Sequence, residues 1–355
     1  MPAIAQHQWV ISPKFDTIFF LSPMLLGLLY FVSLLLAPGH ALLITAFVWV
    51  VFAQTHFGST WFIFLDKKNL AYYCKHPFIY FVMPVVIFAA VLALGYVNQT
   101  LLIILVAIAS LYHVTKQNLG IMQLYRMRNK EFDVATRRVE NSTIFAWTLL
   151  FGAFGALQLP NFQSQFGDML NLTWYGLGAL LVFSAAGTVW IGVQYARRGA
   201  NSIPKTIFLV TSILMYSPYL YASVVLVDIY QMEIATLTSL IAHYMQYIGI
   251  VWLINVNKYG KETEYAKQNP FLHTIASHYP AILVAILGYG AVMAGLRWGV
   301  PQQYPVLLNV IPNIVVGLMV IHFYIDSFIW RFRNPFIRET VMPFIKPVAP
   351  EPATA

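Results

Sequence analysis

Four of the nine histidines in this 355-residue chain, His56, His113, His243 and His322, fall inside long apolar stretches. An imidazole is costly to place in hydrocarbon, and an ionisable residue at that depth marks a functional site by default. The other five, His7, His40, His76, His273 and His278, fall in the N-terminal segment, in loops or at helix ends. A metal-bound imidazole usually passes its other ring N–H to a carboxylate or carbonyl, which fixes the tautomer. Candidate partners stand one helical turn away. Asp326 follows His322 by four residues, Gln117 follows His113 by four, and Gln246 and Tyr247 follow His243 by three and four. Residues at these spacings share a helix face. His56 is followed by Gly58 and Ser59, small residues that let neighbouring helices approach closely.

An all-imidazole ligand set with open positions suits Fe(II), Cu or Zn. Thiolate ligation is excluded, because the one cysteine, Cys74, stands beside Lys75 and His76 in an expected inner loop. Two histidines from different helices could instead ligate haem for electron transfer. Buried histidines also serve as proton relays in transporters, but those folds carry inverted repeats and broken helices. No internal repeat is evident here, and Pro84, Pro218 and Pro312 do not take corresponding positions. The His-x-x-x-Tyr spacing of His243 and Tyr247 occurs in haem–copper oxidases, whose adjacent His-His pair is missing. Plainer roles exist for each residue: a lone membrane histidine is more often a hydrogen-bonded structural group. Asp326 could pair with Arg331 at the interface, and Lys116 can snorkel to the inner surface.

The elements that must position these residues follow from composition. Hydrophobic residues make up 59% and charged ones 10%, with mean hydropathy +0.68. Soluble domains carry roughly 25% charged residues, so a soluble enzyme or nucleic-acid binder is excluded. Apolar stretches near 17–36, 41–65, 78–97, 100–125, 142–158, 174–195, 206–227, 233–255, 279–297 and 304–330 predict about ten spans. The expected fold class is therefore all-α, a polytopic integral membrane helical bundle. Residues 1–16 form an N-terminal segment, 17–330 a single bundle, and 331–355 a tail whose Pro- and Ala-rich end from Lys346 predicts disorder. No small-x-small cleavage site follows the first span, which reads as a retained anchor.

Charge placement sets the orientation. With the N-terminus cytoplasmic, 19 of the 21 Lys and Arg residues fall in cytoplasmic loops or termini, all except Lys116 and Arg297. Lys and Arg collect in short cytoplasmic loops, so both termini are expected in the cytoplasm, as in a bacterial-type inner-membrane protein. The net charge of +8 is then topological and needs no nucleic-acid partner. The four histidines lie on expected helices two, four, eight and ten, which run in the same direction. They precede Lys67, Arg126, Lys258 and Arg331 by 11, 13, 15 and 9 residues. At the α-helical rise this is roughly 14–22 Å from the inner basic collar, so the four can share one layer.

Two segments carry a resemblance. Thr55-His56-Phe57-Gly58 is similar to the His-Phe-Gly segment of the Brp/Blh family of membrane β-carotene-cleaving dioxygenases, and the stretch from His322 through Asp326 to Ile329 resembles that family's closing His-x-x-x-Asp helix. The resemblance implies a multi-helix protein that holds non-haem iron with four histidines and cleaves an isoprenoid with O2. The family's Pro-His-Gly-x-x-x-Asp element has no counterpart here, and its paired His-x-x-x-His helix is represented only by His243 with Gln246 and Tyr247. The expectation is a membrane-embedded non-haem Fe(II) oxygenase acting on a lipophilic substrate from the bilayer. His56, His113, His243 and His322 are its ligands, supported by Asp326, Gln117 and Tyr247; haem or Cu are the alternative cofactors.

Overall fold

The computed structural model describes residues 9–157, 170–198, 202–219, 229–260, 263–299 and 310–347. The end of the tail, 348–355, where disorder is expected, lies outside them. Among the described residues the fold is all-helical, with no strand. Its main helices are α1 (Pro23–Leu36), α2 (Ala41–Val48), α3 (Thr55–Thr60), α4 (Lys67–Cys74), α5 (Met83–Val97), α6 (Gln99–Arg128) and α7 (Val134–Leu157). They continue with α8 (Leu170–Arg198), α9 (Ile203–Leu214), α10 (Ile229–Tyr259), α11 (Pro270–Ser277), α12 (Tyr279–Ala294), α13 (Ile311–Ile329) and α14 (Pro335–Thr340). Polar caps set several starts. Asp66 accepts from the Asn69 N–H ahead of α4, and Ser202 accepts from the Lys205 N–H ahead of α9.

Among the described residues, six helices are long and apolar enough to cross a membrane, or eight if each of two bent pairs is one span. The sequence predicts about ten. Two of the predicted stretches fall short for visible reasons. The first turns of α7 carry Arg137, Arg138, Glu140 and Asn141, and the stretch near 206–227 lies partly outside the described residues, which hold the 12 residues of α9. The stretches near 17–36 and 279–297 belong to the bent pairs, Pro13–Leu21 with Pro23–Leu36 at 41° and Pro270–Ser277 with Ala281–Arg297 at 101°.

Packing divides the chain into two compact units, Met1–Thr45 with Leu111–His243 and Ala46–Ser110 with Tyr244–Ala355. No shift in composition marks this division. In the first unit α7 packs on α8, and α9 packs on α7 and on the turn Thr17–Leu21. The ring of Phe20 on that turn meets those of Tyr125 and Phe208 edge-on. Glu140, fully buried, joins four helices. It accepts from Arg126 Nε of α6 at 2.7 Å, pairs with Lys205 Nζ of α9 at 2.9 Å, and accepts from the Tyr195 hydroxyl of α8. Glu131 also pairs with Lys205. Burial pushes the Glu140 carboxyl upward, but the Lys205 and Arg126 charges outweigh it and hold the group below the ordinary glutamate range.

In the second unit α13 packs along α5, and α12 packs against the π-helical turn Trp49–Gln54 and α3. Gly290 of α12 permits that approach, because a Cβ there would stand 2.6 Å from the Val50 carbonyl oxygen. Asp66 is the corresponding node. Besides capping α4, it pairs with Lys258 at 3.0 Å and accepts from the Tyr259 hydroxyl. The C-terminal segment folds back on this unit. Phe336 stacks on Tyr72 at 3.9 Å, and Asn257 Nδ2 donates to the carbonyls of Phe344 and Lys346.

Removing one partner of a buried ion pair costs about 3–5 kcal/mol, because a charge is left uncompensated. Glu140→Gln is expected to destabilise the detergent-solubilised protein by that order and so lower its thermal midpoint. Lys68→Gln, which breaks the exposed pair with Glu339, should leave it within measurement scatter. Melting followed by size-exclusion chromatography reads both.

Candidate functional site

All four membrane histidines are buried, at 0%, 9%, 1% and 0% exposure for His56, His113, His243 and His322. Each unit gathers two of them. In the first, His113 of α6 and His243 of α10 lie with ring centroids 5.1 Å apart and planes nearly perpendicular. Gln117 Nε2 donates to the His243 backbone carbonyl at 3.0 Å. It therefore fastens α6 to α10 beside the pair.

The second unit holds the richer arrangement. The sequence Thr-His-Phe-Gly-Ser-Thr of α3 is short, small and polar, and all six residues are buried. The π turn immediately before it rotates the register; such turns are rare and recur at functional sites. His56 meets His322 of α13 at 4.5 Å between ring centroids and Tyr247 at 4.4 Å, edge-on in both cases. Phe57 closes against the His322 ring at 5.0 Å.

A directed chain of hydrogen bonds ties this group together. The Tyr247 hydroxyl donates to Asp326 Oδ1 at 2.9 Å. A phenol has one hydrogen to give, so at its 2.6 Å contact with Thr60 the tyrosine oxygen accepts and Thr60 donates. Thr60 has likewise spent its hydrogen, so its oxygen accepts from Nδ1–H of His322 at 2.7 Å. With Asp326 ionised, this order of donors puts the His322 hydrogen on Nδ1 and its lone pair on Nε2. The sequence expectation was that Asp326 itself takes the His322 N–H. The carboxylate instead stands 3.7 Å from Nε2, beyond hydrogen-bond range, and acts through Tyr247 and Thr60.

Asp326 is buried and bonded to Tyr247, while the Arg331 guanidinium lies over the Phe328 ring at 4.8 Å. Thr60 is the residue that sequence reasoning missed. Its signal was present, since it follows His56 by four residues on the same helix face. The histidines outside the spans take local roles: His273 Nδ1 meets the Tyr259 carbonyl at 2.6 Å, and His76 Nδ1 meets that of Tyr72 at 3.0 Å.

His56 and His322, with ring centroids 4.5 Å apart, and Asp326, 3.7 Å from His322 Nε2, put two imidazoles and a carboxylate in one unit. His113 and His243 offer two more imidazoles in the other. Comparison with protein-family models, with curated proteins and with solved structures yields no match.

Thr60→Val keeps the shape and removes the hydroxyl, leaving a buried N–H and a buried phenol oxygen unserved at a cost of about 1–3 kcal/mol. Histidine-labelled ¹⁵N spectra should show His322 as the Nδ1–H tautomer in the native protein and in Thr60→Ser. In Thr60→Val that signature should be lost together with stability. An Nε2–H tautomer in the native protein would reverse the direction of the chain.

Proposed function

We propose that this protein is a membrane-embedded, O2-dependent oxygenase that acts on a lipophilic substrate of isoprenoid type. Its non-haem iron is held by His56, His113, His243 and His322. The observation that carries the reading is the buried His56–His322 pair, with Asp326 linked to His322 through Tyr247 and Thr60. The use of all four histidines together rests on the sequence, where they stand at one depth on helices of the same direction. The His-Phe-Gly and His-x-x-x-Asp segments support the same reaction class.

Bound iron would supply an open coordination position and the redox chemistry that activates O2 as the oxidant of an alkene. The remaining work falls to the chain. His322 presents Nε2 because Thr60 holds the proton on Nδ1. Asp326 holds the Tyr247 hydroxyl, which keeps Thr60 turned toward His322. Phe57 and Tyr244 wall the histidines with aromatic carbon and exclude water that would intercept reactive species.

With this function goes a topology of ten spans, both termini cytoplasmic, in a plasma membrane. Reporter fusions after Gly39, Asn98, Gln163, Tyr230 and Gln302 should all report the outer side. A cytoplasmic signal at any of them would take the four histidines out of one layer.

Purified protein should carry one iron per chain and show no Soret band. Each of the four His→Ala changes should lower iron affinity by more than the roughly 10–100-fold that loss of an outer partner costs. His40→Ala and His278→Ala should leave it intact. Full metal content in the His113 and His243 variants would restrict the site to the second unit, and a haem spectrum would replace the oxygenase with an electron-transfer protein.

A further inference from the structure

Helices α6 and α7 form a hairpin whose outer face bears an open groove of about 500 Å³, lined by Leu119, Arg138, Val139, Asn141, Ser142 and Phe145. The groove has a polar end and an apolar end. Arg138 and Ser142 are exposed at the end near the loop, and the exposed Phe145 and Leu149 continue the same face of α7 away from it. Tyr112 of α6 meets Phe145 at 6.4 Å between ring centroids, which sets the antiparallel register. One turn on, Lys116 therefore stands level with Asn141, and its ammonium lies 6.0 Å from the Tyr112 ring centroid. Gly120 leaves that wall open, with nothing within 4 Å of where its Cβ would be.

The charge is unbalanced in one direction. Arg138 lines the groove, Lys116 stands about one turn before the lining residue Leu119 on α6, and no carboxylate is among the residues that line it. The nearby acids are engaged elsewhere. Glu140 binds Arg126 and Lys205, Glu131 binds Lys205, and Asp133 accepts from Thr136. An anion with an apolar tail fits this surface. Its phosphate would meet Arg138 and Lys116, and its chains would lie along Phe145 and Leu149.

We propose that the α6–α7 groove is a binding site for an anionic phospholipid, separate from the oxygenase reading above and not dependent on it. The apolar half of the groove favours a lipid over free phosphate, since an inorganic anion would use only the basic end. Basic pockets beside transmembrane helices on the cytoplasmic side bind anionic headgroups in this way.

Native mass spectrometry of the full chain in detergent tests the proposal, with phosphatidylglycerol and phosphatidylcholine of identical acyl chains as probes. The native protein should bind phosphatidylglycerol more tightly. Affinity should fall about fivefold for each charge removed in Lys116→Gln and Arg138→Gln, approaching the phosphatidylcholine value in the double variant. Arg138→Lys should keep the preference, and comparison of that single variant with Arg138→Gln decides the matter if the double variant does not fold. Arg331→Gln with Arg333→Gln, an equal charge loss in the other unit, should change nothing. Equal binding of the two lipids to the native protein, or an unchanged preference in Arg138→Gln, would overturn the site. Displacement of the lipid by inorganic phosphate at equal concentration would make it an anion site and overturn the lipid assignment.

Discussion

A buried carboxylate needs partners that replace water, and three such groups govern how this chain is put together. A single ion taken from water into a low-dielectric interior costs several kcal/mol even after relaxation. Glu140 meets that demand with an arginine, a lysine and a phenol drawn from three other helices. Asp66 meets it with a lysine, a phenol and the N-terminus of α4. In both, the requirement to satisfy one oxygen pair fixes the angle and register of helices that are otherwise interchangeable apolar cylinders. Asp326 differs from both, because Tyr247, a neutral phenol, donates to it.

That difference matters for chemistry. Glu140 and Asp66 are neutralised by fixed cations and have little left to offer a ligand. Asp326 stands 3.7 Å from His322 Nε2 and is linked to that ring's Nδ1 through Tyr247 and Thr60. The direction of this chain follows from counting hydrogens, one per hydroxyl, and it ends by placing the His322 lone pair on Nε2. A structural histidine needs only some partner, whereas here three side chains from α3, α10 and α13 converge to select a tautomer. Selection of this kind is what a metal ligand requires.

The sequence made the helices and the four histidines legible because both signals are local. Apolar runs and isolated charges can be counted along the chain, and each predicted stretch has a helical counterpart among the described residues, though not always a spanning one. The π turn at Trp49–Gln54 and the breaks in the two bent pairs depend on packing and have no such local signature. Partner choice was equally hidden. Arg126, Lys205 and Lys258 count toward the basic collar in the sequence, yet each is buried and paired with a carboxylate far along the chain. Thr60 reads as one more small polar residue until Tyr247 and His322 are placed on either side of it. Asp326 was legible as a partner for His322 by spacing alone, and the structure inserts two hydroxyls between them.

X-ray absorption at the iron edge of the purified, full-length protein tests the central claim most directly, since it reports the metal and its donors together. The account predicts one iron per chain with a first shell of nitrogen and oxygen and the outer-shell scattering of several imidazoles, diminished in His56→Ala and in His322→Ala. An absent iron edge, a sulfur-containing shell, or a spectrum unchanged by both substitutions would contradict it.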